Sequence, residues 1–282
     1  MTHTFGRTDD ELATLPLAFA PGIFSGRVVV VTGAGTGIGR CIAHWFARLG
    51  ARLVLCGRKV EPLANAATAL QRYDTEVLTY PLSIREPAAV ASMYDAAWER
   101  FGRVDIVINN AGGQFPQAAI DFSPKGWAAV IDTNLNGTWY MMQSAAQRWR
   151  DANISGSIVN VVAVVWRGMP GVAHTCAARA GVIYASKTVA IEWAPLGIRV
   201  NCVAPGIVST NGMNVYPEDA LRDLPDTNLL KRFGQVDEIA NAVCYLAGDA
   251  ASFITGEVLT VDGGNQLWGD QWTIPKPAYF RV

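Results

Sequence analysis

A glycine-rich turn between a strand pattern and a helix pattern is the first stretch whose residues suggest chemistry, namely the binding of a dinucleotide. The run Val28–Val31 predicts a buried parallel strand, and apolar residues over 42–49 recur at helical spacing. Between them, Gly33 permits a tight turn, Gly37 lets the backbone approach a pyrophosphate, and Gly39 lets the helix pack on the sheet. The unpaired N–H groups and the dipole at the helix N-terminus attract phosphate.

Two cations follow the second predicted strand, where the type of nicotinamide cofactor is decided. An acid there binds the ribose hydroxyls of NAD, whereas this chain has Gly57 followed by Arg58 and Lys59. Two cations without an acid suit a 2′-phosphate, so the sequence predicts NADP(H). The alternative is a solvent-exposed basic turn without a ligand. Ser83 follows the third predicted strand, where its hydroxyl is placed to bond the edge of an adenine.

The composition bounds the class of protein. Half of the 282 residues are hydrophobic, and the formal net charge is −1. Without a basic excess or an apolar stretch long enough for a bilayer, neither nucleic acid nor membrane is expected as a partner. Five scattered cysteines, and charged residues where a secretory signal would lie, predict a cytoplasmic protein with reduced thiols. Three histidines without ligand spacing predict no metal site.

Strand and helix patterns alternate along the chain. The strands are predicted over 27–32, 52–56, 75–81, 104–109, 157–162, 197–203 and 257–261, and the helices over 37–49, 60–72, 86–101, 123–149, 172–195 and 236–248. This alternation predicts an α/β fold, a Rossmann-type doubly wound parallel sheet in a single domain. We expect an irregular N-terminal arm over 1–25, a dinucleotide-binding catalytic domain over 26–265, and an irregular tail over 266–282. The aperiodic segment of about 207–234 has the length of a substrate lid, with ordinary loop packing as the alternative.

Four motifs in the expected order resemble the short-chain dehydrogenase/reductase family. They are Thr32-Gly33-x-x-x-Gly37-x-Gly39, Asn109-Asn110-Ala111-Gly112, Pro205-Gly206-x-x-x-Thr210 and Val261-Asp262-Gly263-Gly264. The resemblance covers roughly residues 22–265 and implies a nicotinamide cofactor and a homotetramer formed through the two long predicted helices. The predicted cofactor-binding residues are Gly33, Thr36, Gly37, Ile38, Gly39, Arg58, Lys59, Ser83, Ile84, Asn110, Ala111, Gly112, Arg179, Pro205, Gly206, Ile207 and Thr210.

The family's catalytic Asn, Ser, Tyr and Lys are matched at one position of the four. Asn134 matches the Asn, while the register of the Arg-Ala-Gly run places Arg179 at the Lys position. The Tyr position is then Thr175, and the Ser position is Val162. Thr175 is a poor acid, and Arg179 binds hydroxyls but does not give up its proton. Alcohol–ketone chemistry through the usual Tyr–Lys pair is therefore not expected.

A tyrosine and a lysine do occur further along the same predicted helix, beyond Thr175 and Arg179. Tyr184 and Lys187 are three rather than four residues apart, and Tyr184 lies nine positions beyond Thr175, about half a turn around a helix. We interpret Tyr184 and Lys187 as packing or interface residues.

Reduction of an activated C=C bond makes fewer demands on an acid. When hydride reaches the β-carbon of an enoyl thioester, charge collects on the thioester oxygen, which hydrogen-bond donors must stabilise. Thr175, Asn134 or a backbone N–H can supply the donor, and the sequence does not choose among them. The proton for the α-carbon can come from water or from His174, although a packed or capping histidine is the alternative interpretation of that residue.

Further segments resemble one subgroup, the peroxisomal trans-2-enoyl-CoA reductases and the 2,4-dienoyl-CoA reductases. These segments are 110–115, 126–127, 172–181 and 251–256. The resemblance implies NADPH-dependent reduction of an acyl-CoA double bond. The ending Phe280-Arg281-Val282 differs from a peroxisomal Ser-Lys-Leu address, which again favours the cytoplasm. An alcohol or ketone oxidoreductase, for example on terpenoid alcohols, and a non-catalytic NADP-binding protein are the alternatives.

Overall fold

Seven parallel strands form one sheet in the computed structural model, which describes residues 5–215, 221 and 224–267. The strands are β1 (Val28–Thr32), β2 (Arg52–Gly57), β3 (Val77–Pro81), β4 (Ile106–Asn109), β5 (Gly156–Val161), β6 (Ile198–Pro205) and β7 (Val258–Val261). Their spatial order is β3-β2-β1-β4-β5-β6-β7. The predicted Rossmann-type, doubly wound parallel sheet is thereby confirmed.

Helices cover both faces of this sheet. They are α1 (Asp9–Thr14), α2 (Gly37–Arg48), α3 (Val60–Leu70), α4 (Pro87–Phe101), α5 (Pro124–Ile131), α6 (Gly137–Ala152), α7 (Ala173–Trp193) and α8 (Val236–Ala247). Successive side chains of a strand point to opposite faces, so Val29 and Val31 join the core beneath α2 and α8, while Val28 and Val30 join the core beneath α4 and α6. Burial on both faces explains why β1 is a run of valines.

The position of the candidate site follows from the strand order. The strand order switches between β1 and β4, because β2 and β3 lie on one side of β1 and the later strands lie on the other. Val31 of β1 and Ile108 of β4 are neighbours in the register. The loops that leave these two strands diverge to opposite faces, which opens a crevice at the carboxyl edge of the sheet. The glycine-rich turn after β1 and the Asn-Ala-Gly turn after β4 form its walls.

The N-terminal arm was predicted to be irregular, but part of it is helical. Residues Asp9–Thr14 form helix α1, which begins with a capping box in which Thr8 and Glu11 satisfy each other's backbone N–H groups. Leu12 is buried in the main core, and Arg48 of α2 donates to the carbonyl oxygens of Leu12 and Leu15 at 2.8 and 2.7 Å. The prediction failed because the short helix is stabilised by packing on α2 rather than by its own periodicity.

The prediction of a single helix over 123–149 is also wrong. A π-helical segment, Asp132–Asn136, separates α5 from α6, and α6 continues to Ala152. At its start, the carbonyl oxygen of Ala129 accepts hydrogen bonds from Thr133 Oγ1 at 2.9 Å and from Arg85 Nη2 at 2.6 Å. These side-chain donors accompany the break in the α-helical ladder, and such π segments are frequent at functional sites.

Parts of three predicted segments lie outside the described residues. They are residues 1–4 of the predicted N-terminal arm, residues 216–220, 222 and 223 of the predicted lid, and residues 268–282 of the predicted tail, with Trp268 and Trp272. Within the described part of the chain, none of the helices combines the length and the apolar character needed to cross a bilayer.

Candidate active site

Thr32, at the end of β1, ties the two walls of the crevice together. Its Oγ1 accepts hydrogen bonds from the backbone N–H of Asn110 at 3.0 Å and of Ala111 at 2.9 Å. The side-chain amide of Asn110 donates in return to the carbonyl oxygen of Thr32 at 3.0 Å. The turn after β4 is therefore fixed against the glycine-rich turn, and the Asn110 side chain acts within this brace.

The three glycines of the first turn are required by close backbone contacts. A Cβ on Gly39 would lie 2.3 Å from the carbonyl oxygen of Gly33, so only glycine lets α2 start this close to β1. Gly33 and Gly37 have positive φ values of 67° and 55°, which favour glycine. Thr210 lies against Gly37, with its Cβ 3.7 Å from the position of a Cβ there. The predicted cofactor residue Thr210 thus reaches the glycine-rich turn.

The basic end of the site is open to solvent. Gly35, Thr36, Arg40 and Lys59 line a cavity of about 600 Å³, together with residues of α3. Lys59 thus lines the same cavity as the glycine-rich turn, whereas Arg58 is not among the residues that line it, and both side chains are exposed.

The predicted adenine loop is attached to the π segment. Ile84 packs so closely on Gly137 that a Cβ there would lie 2.6 Å from Ile84 Cγ1. Ser83 accepts from the backbone N–H of Arg85 at 3.4 Å, and Arg85 Nε donates to Thr133 Oγ1 at 2.6 Å. The loop after β3 and the segment that carries Asn134 are thus joined.

Asn134 is buried, and its side chain is hydrogen-bonded to the turn after β4. Its Oδ1 accepts from the N–H of Gly113, and its Nδ2 donates to the carbonyl oxygen of Gly113, both at 2.9 Å. One amide hydrogen of Nδ2 remains beyond these two bonds. Gly113 was not among the predicted site residues, and its pairing with Asn134 has no local sequence signal because 21 positions separate them.

Arg179 is a buried cation aimed at the cofactor crevice. A Cβ on Gly112 would lie 2.1 Å from Arg179 Nη2 and 3.1 Å from Asn134 Oδ1, so the guanidinium lies against the predicted cofactor turn. Arg179 Nη1 is buried without a hydrogen-bond partner in the described part of the protein. Burial lowers the pKa of Arg179 from 12.5 to about 10, so the group is charged at neutral pH. A buried cation with an unsatisfied N–H group at Nη1 fits a ligand with hydroxyl or anionic oxygens.

His174 lies between two aromatic rings at the start of α7. The centroids of Phe115 and Phe122 are 4.7 and 4.5 Å from that of His174, which is fully buried. The backbone N–H of Thr175 donates to Nδ1 at 2.7 Å, which assigns the proton of the neutral ring to Nε2. Nε2 makes no hydrogen bond of good geometry among the described residues, although the carbonyl oxygens of Val172 and Phe115 lie near the ring. Burial lowers the pKa of His174, while the carbonyl groups of Val172 and Phe115 partly oppose this shift.

The positions assigned to the family Ser and Tyr also lie inside the protein. Val162 is buried among apolar neighbours, and the Thr175 hydroxyl lies 3.3 Å from Nδ1 of His174. By contrast, Tyr184 is 68% exposed, and the Lys187 ammonium lies 5.2 Å from the centre of its ring. Tyr184 and Lys187 therefore lie on the outer face of α7, away from the buried Thr175 and Arg179.

The motif after β6 completes the crevice. Gly206 approaches the backbone of Asp262, where a Cβ would lie 2.7 Å from the Asp262 Cα, and Pro205 is the buried end of β6. Ile207 is half-buried and its carbonyl oxygen accepts from the N–H of Gly234 at 2.9 Å. Two contributors were missed by the sequence analysis. Phe122 had no usable signal because 52 positions separate it from His174, whereas Arg40 was readable as the residue directly after Gly39.

The fold is that of a Rossmann-type α/β protein, and the comparisons with known proteins add the class of oxidoreductases. A family model described as enoyl-(acyl carrier protein) reductase matches residues 33–266. The chain belongs to the short-chain dehydrogenase/reductase family.

Relatives at about one-third identity span nearly the whole chain. A Bacillus subtilis (strain 168) protein named "Probable 2,4-dienoyl-CoA reductase [(2E)-enoyl-CoA-producing]" is 36% identical over 256 residues, 89% of this chain and 98% of its own. A "Peroxisomal 2,4-dienoyl-CoA reductase" of Danio rerio is 33% identical, over 92% of this chain and 88% of its own. The solved structure of a "citronellol catabolism dehydrogenase" of Pseudomonas aeruginosa PAO1 is similar with a TM-score of 0.79 and 36% identity, over 88% of this chain and 98% of its own.

Proposed function

We propose that the protein reduces the activated C=C bond of an enoyl-CoA or a 2,4-dienoyl-CoA with NADPH. The observation that carries this proposal is Arg179, a buried guanidinium that lies against Gly112 and whose Nη1 has no hydrogen-bond partner among the described residues. Arg179 takes the position of the lysine that assists the tyrosine in ketone-reducing members, and Thr175 takes that of the tyrosine itself. The names of the Bacillus and Danio relatives support the same chemistry.

The cofactor is held along the crevice by the residues predicted for it. The N–H groups at the start of α2 bind the pyrophosphate, Lys59 and Arg58 the 2′-phosphate, and Arg179 the ribose next to the nicotinamide. Bound NADPH would supply the hydride. Asn134 keeps the turn after β4 in place through its two bonds to Gly113.

Stabilisation of the thioester oxygen falls to the donors near the start of α7. The neutral His174 ring carries its proton on Nε2, the atom that lacks a partner among the described residues. Thr175 is engaged with His174, and Asn134 with Gly113, whereas Nε2 of His174 makes no hydrogen bond among the described residues, so we assign the donor role to His174. A buried donor of this kind is worth far more than one in water, because no solvent competes for the oxyanion.

A second candidate function is the oxidation of an alcohol or the reduction of a ketone. The similarity to a citronellol catabolism dehydrogenase favours it. In that case His174 would have to replace the missing tyrosine as the acid. Family membership and the oxidoreductase names of the relatives favour both enzymes over a non-catalytic NADP-binding protein.

The deciding experiment is the consumption of NADPH in the presence of a 2-enoyl-CoA, a 2,4-dienoyl-CoA and matched free ketones. Turnover with the thioesters alone is expected. Turnover with ketones alone would replace the proposal by the second candidate. Binding of NADPH without turnover of any of these substrates would contradict both.

Three further predictions belong to this proposal. The 207–234 segment covers the acyl chain as a lid, and a homotetramer forms through α6 and α7. The exposed Tyr184 and Ile191 on α7, 68% and 79% accessible, support such an interface, whereas Trp149 of α6 is fully buried and serves the core. Light scattering coupled to gel filtration tests the tetramer. We also propose a cytoplasmic location.

A further inference from the structure

The N-terminal arm reaches the phosphate side of the candidate cofactor site. Residues Gly6, Arg7, Thr8 and Asp9 line a cavity of about 240 Å³ together with Gly37, Arg40 and Asn211. Gly37 belongs to the turn whose N–H groups are proposed to bind the pyrophosphate. The arm precedes the stretch that the family model matches, which begins at residue 33. It therefore adds a wall that the family pattern does not describe.

Arg40 is shared between this cavity and the larger basic one beside it. Arg40 lines the 240 Å³ cavity and also the 600 Å³ cavity, which Lys59 and Glu61 line as well. Asp9 takes the guanidinium in a two-pronged ion pair, with Nε donating to Oδ1 at 2.6 Å and Nη2 donating to Oδ2. Its remaining contact is a long one, from Nη1 to the carbonyl oxygen of Gly35 at 3.4 Å.

The ion pair between Asp9 and Arg40 is held from the arm side. Asp9 is the first residue of α1, and its Oδ1 also lies 3.1 Å from Nε2 of His44. His44 is fixed in turn by the Tyr73 hydroxyl at 2.9 Å from Nδ1. The neighbouring Arg7 is paired with Asp237 at 2.8 Å. These contacts keep the carboxylate of Asp9 on Arg40, so the charge of Arg40 is cancelled beside the phosphate turn.

We infer that Asp9 and Arg40 together set the charge on the phosphate side of the cofactor cavity, which makes Asp9 a determinant of cofactor affinity and of the preference for NADPH over NADH. The inference rests on the proposed cofactor. A dinucleotide brings negative charge to the glycine-rich turn, and NADPH adds a 2′-phosphate near Lys59. Removing the negative charge of Asp9 frees one positive charge that both cavities share. The gain is greater for NADPH because its extra phosphate lies in the second cavity.

The test measures the dissociation constants of NADPH and NADH by fluorescence titration in the absence of substrate. Asp9→Asn keeps an acceptor for the Arg40 Nε–H and is expected to tighten NADPH by about three- to tenfold, and NADH by less than about twofold. Asp10→Asn is the matched control, because it removes the same charge one position along α1, where Asp10 pairs with Arg72 at 3.0 Å and is exposed. This control should change neither constant.

A second pair of variants tests the same charge balance from the side of Arg40. Arg40→Gln leaves the charge of Asp9 uncancelled and is expected to weaken NADPH binding about three- to tenfold. The double variant with Asp9→Asn restores a neutral pair and should bind NADPH within about twofold of the parent. Unchanged or weaker NADPH binding by Asp9→Asn, or an equal gain for NADH, overturns the inference. A parent chain that binds neither nucleotide overturns the proposed function as well, so the two failures are distinguishable.

Discussion

Arg179 and Gly112 are in direct contact across the candidate cofactor crevice. The Arg179 guanidinium fills the space that a side chain at position 112 would need, with Nη2 only 2.1 Å from the place of a Cβ. The two residues come from different elements, helix α7 and the turn after β4. This contact places the buried charge of Arg179 at the predicted nicotinamide end of the cofactor site. Arg179 and Gly112 can be substituted separately.

Replacing Gly112 by alanine should therefore disable the site. The added methyl group collides with Arg179 Nη2, so either the guanidinium or the turn must move, and we expect kcat/KM to fall about a hundredfold. Gly113→Ala is the matched control, because a Cβ there has no heavy atom within 4 Å and the backbone bonds to Asn134 are kept. Steady-state kinetics with NADPH as the varied substrate measures both. Equal losses in the two variants would refute the role of the contact.

Removing the charge of Arg179 should improve stability while it removes activity. The fall of the Arg179 pKa from 12.5 to about 10 corresponds to about 3 kcal/mol of destabilisation in the free protein. Arg179→Met should therefore raise the melting temperature of the free protein by a few degrees. It should also abolish the further increase that NADPH produces in the parent.

Arg179→Lys is the control for this prediction, since it keeps a cation at the position and should keep part of the shift on NADPH addition. Thermal unfolding with and without NADPH is the measurement. A lower melting temperature for the free Arg179→Met protein would show that the guanidinium is satisfied by contacts that stabilise the fold.

The fold was predictable because its signals are local. Val28–Val31 and the glycines after it specify strand, turn and helix within one short stretch, and the same alternation recurs along the chain. Thr8-x-x-Glu11 is an equally local capping-box signal for α1, and it was overlooked because the six-residue helix lacks a periodic apolar face.

The candidate site was only partly predictable, because its chemistry depends on contacts between distant residues. The helical register placed Arg179 and Thr175 on α7, and the structure locates both in the interior. No sequence pattern could show that Phe115 and Phe122 enclose His174, or that Asn134 is bonded to Gly113. The catalytic roles of these residues stay predictions.

His174 should act in the proton or oxyanion step and should also make stability depend on pH. His174→Gln keeps a polar side chain of similar size but loses the ring, and we expect kcat to fall about tenfold or more while the NADPH KM stays unchanged. Because the folded-state pKa of His174 lies below the unfolded value, the neutral ring stabilises the fold above pH 6.5. That contribution is lost as the pH falls through the folded-state pKa.

Melting temperatures of the parent and of His174→Gln between pH 8 and about pH 5 test the second half of this prediction. The advantage of the parent should shrink as the pH falls. His44, whose pKa burial lowers to about 4, is present in both proteins and cancels in the comparison. Parallel curves would show that His174 does not change its protonation with unfolding.

An acid at the end of β2 should convert the cofactor preference. Gly57 occupies the place where an acid would bind the ribose hydroxyls of NAD. A Cβ there makes only ordinary contact, 3.5 Å from Leu63 Cδ2, and no positive φ forbids a side chain. Gly57→Asp should repel the 2′-phosphate and raise the NADPH KM about a hundredfold, while the NADH KM falls. Gly57→Ala separates the charge from the added bulk and should change both values less than about threefold. Steady-state kinetics with each nucleotide measure this change in cofactor preference. A loss of NADPH use without a gain for NADH would place the ribose away from Gly57. It would also remove the basis for assigning Arg58 and Lys59 to the 2′-phosphate.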